Sequence, residues 1–187
     1  MTTDSVLVST RVDAWRPPTI VALTVGAIAV LTYTLIDLLL PLSQGGPFQS
    51  AADAWYTGAG SAIGLSGFVV AIGIHRLQHG ADGRLGGIGA WVSGICCLAL
   101  AVQTGASVAV GAELQWGPIY PIATLGSVGG LVLLVVGSWR SRILPRWMLA
   151  VWPPIWLVGS FFALGPIALL LAALFVAMAI ALLRRRR

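Results

Sequence analysis

Residues Trp139-Arg140-Ser141-Arg142-Ile143-Leu144-Pro145-Arg146-Trp147 set three arginines between two tryptophans, with long apolar runs on both sides. Arginine favours the wet, cytoplasmic side of a bilayer, and tryptophan favours the headgroup zone. The stretch therefore reads as a short cytoplasmic turn between two membrane helices. Its orientation sets the orientation of every other segment.

Composition agrees with that reading. The chain has 187 residues, 58% hydrophobic and 9% charged, with a mean hydropathy of +0.93. A soluble domain carries roughly 25% charged residues. So few charges cannot cover a water-facing surface, and a polytopic membrane protein is expected. The isoelectric point near 10.2 would suggest nucleic acid in a soluble protein. Here the arginines sit beside apolar spans, so lipid phosphate is the expected partner and nucleic acid is not. The eleven basic residues include no lysine, which fits a GC-rich bacterial coding bias. The two cysteines, Cys96 and Cys97, are adjacent inside an apolar run. That spacing offers neither a disulfide framework nor a zinc site.

A hydrocarbon core of about 30 Å needs roughly 20 helical residues. Six segments qualify or nearly so, at about 18–40, 55–74, 85–110, 118–138, 148–162 and 167–183. They form one transmembrane domain over 17–183, between a cytoplasmic tail over 1–16 and an arginine tail over 184–187. Pro17 and Pro18 suit the start of the first helix and Pro41 its end. Residues 42–54 form the first external loop, which includes Asp53. Pro153-Pro154 break the short fifth segment, and Leu164-Gly165-Pro166 turn into the sixth. That sixth segment lacks polar side chains and is expected to be the most lipid-exposed. Segments two, three and four are rich in small residues and should make the bundle interior. Gly60 with Gly64, and Gly126 with Gly130, are small-xxx-small pairs that let backbones approach closely.

Six spans place every arginine on one side: Arg11, Arg16, Arg76, Arg84, Arg140, Arg142, Arg146, Arg184, Arg185, Arg186 and Arg187. No basic residue falls on the other side, so both termini are expected in the cytoplasm of a plasma-membrane protein. Arg140, Arg142, Arg146 and the four terminal arginines are the expected headgroup contacts. Trp15, Trp55, Trp91, Trp116, Trp139 and Trp147 fall near span ends, as an aromatic belt requires.

The stretch from Gly129 to the end, with its W-R-S-R-I-L-P-R-W turn and a Gly/Pro-punctuated apolar hairpin, resembles a broad group of small bacterial six-helix integral membrane proteins that share an L-P-R-W cytoplasmic turn. The resemblance covers about the last third of the chain. It implies the fold and its orientation, and no catalytic or binding residue.

Few residues are candidates for chemistry. Asp37 is the one formal charge within a span, about a turn from its outer end. A carboxylate there marks either a site or a side chain reaching the interface. Tyr33 lies one turn earlier on the same face, so a Tyr–Asp pair is available. Gln103 and Ser107 share a face at similar depth, beside Thr104. Either they line an outward polar pocket with Tyr33 and Asp37, or they hydrogen-bond to neighbouring helices. Trp152 and Trp156 flank the double proline: either a broken helix offers an aromatic wall for a lipid-like or apolar ligand, or the prolines make a simple kink in a short helix. His75 and His79 are one turn apart at the cytoplasmic boundary, where solvated histidines are expected and no metal or other cofactor is called for.

Three functional readings follow. The first is a non-enzymatic structural, accessory or assembly component, with membrane lipids and an oligomeric or membrane-protein partner. The second is a permease-like protein that binds a small molecule or lipid in an outward pocket. The third, an intramembrane enzyme, requires Asp37 and Glu113 to converge.

Overall fold

Pro17 and Pro18 open the first helix in the turn where a backbone N–H has no partner, so their missing donors cost nothing. This helix, α1, spans Arg16–Leu39. It stops where Leu40 turns extended (φ −125°, ψ 142°), as a residue before proline must. The computed structural model describes residues 14–43, 45–114, 117–141, 143–161 and 165–184. Arg142, Arg185, Arg186, Arg187, Trp116 and residues 1–13 of the expected tail lie outside the described residues.

Five further helices follow among the described residues: α2 (Ala51–Leu77), α3 (Gly83–Val110), α4 (Ile119–Ser138), α5 (Arg146–Phe161) and α6 (Ala168–Arg184). The fold is all-helical. Helices α1 to α4 are each long and apolar enough to cross a membrane. Helices α5 and α6, of 16 and 17 residues, reach about 24–26 Å. A 3-10 turn over Gly165–Ile167 leads into α6.

Each helix packs on its sequence neighbours, α6 closes on α1, and α2 also touches α4. The result is a ring of six with a filled centre. Trp152, Phe175, Leu171, Met178, Leu23 and Leu134 are buried there. The outside is a surface of large apolar side chains. On α1 they recur as Val21, Val25, Ile28, Leu31, Leu35 and Leu38, one helical stripe with the buried set on the opposite face. An apolar exterior of this extent fits lipid and not water.

Helix α3 is clasped between α2 and α4 through glycine. A Cβ on Gly64 would lie 2.8 Å from the Cys97 carbonyl oxygen. One on Gly130 would lie 2.4 Å from the Ser93 amide nitrogen. Gly60 faces Thr104 of α3, and Gly126 faces Cys96 of α3. All four glycines singled out in the sequence thus sit against one helix.

The two ends of the ring differ in charge. The Arg16 guanidinium donates to the carbonyls of Leu182 and Leu183, tying the start of α1 to the end of α6. Gln78 after α2 donates to Ser138 at the end of α4 at 2.6 Å. Arg146 at the start of α5 lies over the Trp139 ring. Helix directions alternate, so Arg16, Arg76, Arg84, Arg140, Arg146 and Arg184 gather at this arginine end. The α1–α2 and α3–α4 loops meet at the opposite end through a two-strand antiparallel pair, β1 (Gly46–Pro47) with β2 (Ala112–Glu113). Asp37, Asp53 and Glu113 belong to this acidic end.

Three expectations need correction. Helix α6 is not the most lipid-exposed element. Leu171, Phe175 and Met178 are fully buried, because α6 is wedged between α1 and α5. Helix α5 is not broken at Pro153-Pro154; it runs unbroken from Arg146 to Phe161. Both prolines lie inside the helix, where each removes a backbone donor and crowds the carbonyl one turn earlier, and Trp152 and Trp156 are buried on either side of the pair. Asp53 is not a loop residue; it occupies the first turn of α2.

Candidate functional site: a cavity at the acidic end

The loops at the acidic end are built by side chains that satisfy backbone groups. Ser50 is the N-cap of α2, and Asp53 closes a capping box with it. The Asp53 carboxylate accepts from the backbone N–H of Ser43 (2.8 Å), Gln49 (2.9 Å) and Ser50 (2.9 Å). It thereby fastens the end of the α1–α2 loop to α2. The α3–α4 loop is fastened in the same way. Gln103 Nε2 donates to the Leu114 carbonyl at 3.1 Å, and Ser107 Oγ accepts from the Leu114 N–H at 3.1 Å. Both backbone groups of Leu114 are held by α3. Gly111 ends α3 in the left-handed conformation (φ 71°), which glycine adopts without steric cost. The short β1–β2 pair then joins the two fastened loops.

Beneath these loops lies a cavity of about 790 Å³. Tyr33 and Tyr56 stack on one flank, with ring centroids 4.0 Å apart, and Tyr56 donates a hydrogen bond to the Tyr33 hydroxyl. The partner of Tyr33 is therefore Tyr56, across the α1–α2 interface, and not Asp37 on its own helix. Tyr120 lines the α4 side, so all three tyrosines of the chain surround one space. Trp156 forms part of the inner wall. It is buried, and its indole N–H donates to Ser127 Oγ at 3.0 Å. Ser127 in turn donates to the Thr124 carbonyl. From Asp53 near the mouth to Gly64 deep in the lining, α2 advances about 16 Å.

Asp37, Asp53 and Glu113 all line the cavity, and no arginine or histidine does among the described residues. Asp37 is half-buried and makes no hydrogen bond or ion pair among the described residues. Gln103 is 9% exposed, and its Oε1 is buried without a hydrogen-bond partner among the described residues. A buried acceptor left unpaired costs about 1–3 kcal/mol. The cavity wall therefore carries a half-buried carboxylate without a described partner.

Of the residues singled out in the sequence, Tyr33, Asp37, Gln103, Ser107 and Trp156 line this cavity together. Trp152 does not. It is buried in the ring's centre, and its Nε1 has no hydrogen-bond partner among the described residues. Gln103 and Ser107 do not bridge helices; they hold the loop at Leu114. The sequence reading missed Tyr56, Tyr120 and the anchoring role of Asp53. The spacing Ser50-x-x-Asp53 carried a capping signal for the last of these. Nothing in the sequence joins three tyrosines on three helices.

No family model, curated protein or solved structure matches the chain.

The arginine end holds a second polar cluster. His75 Nδ1 and Asp82 Oδ2 are 2.6 Å apart, with the Asp82 side chain fully buried. The histidine is therefore a partner of a buried carboxylate and not a freely solvated side chain. His79 stands on the turn with φ 54° and does not join a ligand set. No group of three or more metal-ligating His, Cys, Asp or Glu occurs among the described residues.

Proposed function

We propose that this chain is a six-span integral membrane protein that binds a small molecule in the cavity at its acidic end, in the manner of a permease. The arginine end would face the cytoplasm and the cavity would open outside. The observation that carries the reading is the cavity itself. Its volume lies within the 300–1,000 Å³ of small-molecule sites, and converging polar groups surround an aromatic wall. Helices α1 to α4 are sufficient to span, and their four-helix core requires α5 and α6 to complete the ring.

The structural or assembly reading drew on the glycine faces. Gly60, Gly64, Gly126 and Gly130 are all used inside the chain, against α3. They leave no small-residue face at those positions for a partner helix, which favours the binding reading.

The test has two parts. Single cysteines at Ser43 and at Arg140 are placed in a chain lacking Cys96 and Cys97. A membrane-impermeant maleimide applied to intact cells should label the first and spare the second. Native mass spectrometry of the protein released from mild detergent should then show a reproducible small-molecule adduct. An adduct-free oligomer or a heteromeric complex would instead support the assembly reading.

A further inference from the structure

We infer that the ligand of this cavity is a protonated organic amine: an ammonium head on an apolar body. The inference rests on the proposed binding function and names its substrate class. Two carboxylates of the lining, Asp37 and Glu113, are not consumed in holding the loops. Asp53 is consumed, by three backbone N–H groups. No cationic side chain among the described residues lines the space to neutralise Asp37 or Glu113. A carboxylate facing a partly desolvated space is costly until a cation pairs with it. Anionic ligands would add to that cost.

The remaining lining fits an ammonium head better than a metal ion. Tyrosine rings attract cations through their faces, and all three tyrosines line the cavity. A bare metal ion would need a compact set of ligands, and no such set occurs among the described residues. A space of about 790 Å³ also far exceeds what an ion requires. Trp156, Ile63 and Leu100 supply the deeper apolar wall for a hydrocarbon body. The long-range field agrees: the described arginines collect at the far end, so the mouth is the negative end of the molecule. Glu113, exposed on β2, stands where an approaching cation is attracted. Asp37, on α1, pairs with it once inside.

The test compares isosteres on the intact chain in mild detergent. Two bodies, 2-phenylethyl and adamantylmethyl, are each presented as the ammonium, the alcohol and the homologous carboxylate. Binding is read by equilibrium dialysis against a protein-free detergent blank. The expected result is saturable one-to-one binding of an ammonium form, at least about tenfold tighter than its alcohol, with no binding of the carboxylate. Asp37→Asn should remove about tenfold of that affinity and leave the alcohol unchanged, while Glu113→Gln has the smaller effect. If an alcohol or carboxylate binds as tightly as its ammonium, the amine class is overturned and the binding cavity stands. If none of the six probes binds, both readings are overturned. The comparison among probes uses the unaltered chain, so a variant that does not fold leaves the decision intact.

Discussion

Adding one methyl group at each of two adjacent glycines should have opposite consequences. Gly129 and Gly130 are neighbours on α4. A Cβ built on Gly129 meets nothing within 4 Å. A Cβ built on Gly130 would lie 2.4 Å from Ser93 N, 2.8 Å from Gly89 O and 2.9 Å from the Ser93 Cα. Ordinary van der Waals contact begins near 3.4 Å, so α3 and α4 would have to separate by about 1 Å at this crossing. All three obstacles are backbone, so no side-chain rotation relieves them. The seam cannot open at one point alone. A Cβ on Gly89 would sit 2.3 Å from Leu134 N, so the two backbones are already in mutual contact there. Overpacking of this kind costs about 1–3 kcal/mol, and lipid offers no compensating hydrophobic drive to hold the helices together. Alanine elsewhere in a helix gains up to about 1 kcal/mol over glycine. Gly130→Ala should therefore be net destabilising, and Gly129→Ala neutral or stabilising. Thermal unfolding of the two variants in one detergent, followed by near-UV circular dichroism, reads the difference directly. Equal melting temperatures would refute the close α3–α4 approach and the packing argument with it.

Asp53→Asn should release the α1–α2 loop, since one of two acceptor oxygens becomes a donor facing backbone N–H groups. Amide exchange at Ser43, Gln49 and Ser50 should quicken while the middle of α2 is unchanged. Ser107→Ala and Gln103→Leu should each loosen Leu114, and combining them should add little, because both hold the same residue. Protease sensitivity of the α3–α4 loop is a suitable readout. His75→Ala should leave the buried Asp82 carboxylate without its hydrogen-bond partner and destabilise the chain by about 1–3 kcal/mol. Adding Asp82→Asn should restore much of the loss, and a double variant no more stable than His75→Ala would count against the pairing. The amine-over-alcohol preference, and its dependence on Asp37, completes the set.

How much of this was legible beforehand depends on what kind of signal each feature left. The helices were legible because span length and end residues are one-dimensional properties. Pro17-Pro18, Pro41, Gly111 and the W-R-S-R-I-L-P-R-W turn mark boundaries by local chemistry alone, and the observed ends fall within a few residues of the expected ones. Gly64 and Gly130 lie where the α3 backbone leaves no room for a Cβ, whereas a Cβ on Gly60 would meet Thr104 at the ordinary contact distance of 3.6 Å, and the sequence could not say that α3 faces all four glycines. Asp53 fell in the expected loop because the second span was started at Trp55, although its spacing from Ser50 carries a capping signal.

The burial of α6 was not legible, for a reason particular to membranes. In water, polar residues mark the outer face of a helix, and the pattern reveals which side is buried. Lipid tails are as apolar as leucine, so Leu171 in the core and Leu170 on the surface are interchangeable to any reading of hydropathy. The sequence by itself determined that this chain is a bundle of apolar helices, because charge is too sparse to cover a water-facing surface and the arginines and tryptophans mark where the spans end. Only the tertiary structure decided that the ring closes through α6 on α1. Only it decided that Tyr33, Tyr56, Tyr120, Asp37 and Gln103, drawn from four helices, face one cavity. Those residues are separated by up to 87 positions along the chain, and helix packing alone fixes which faces meet.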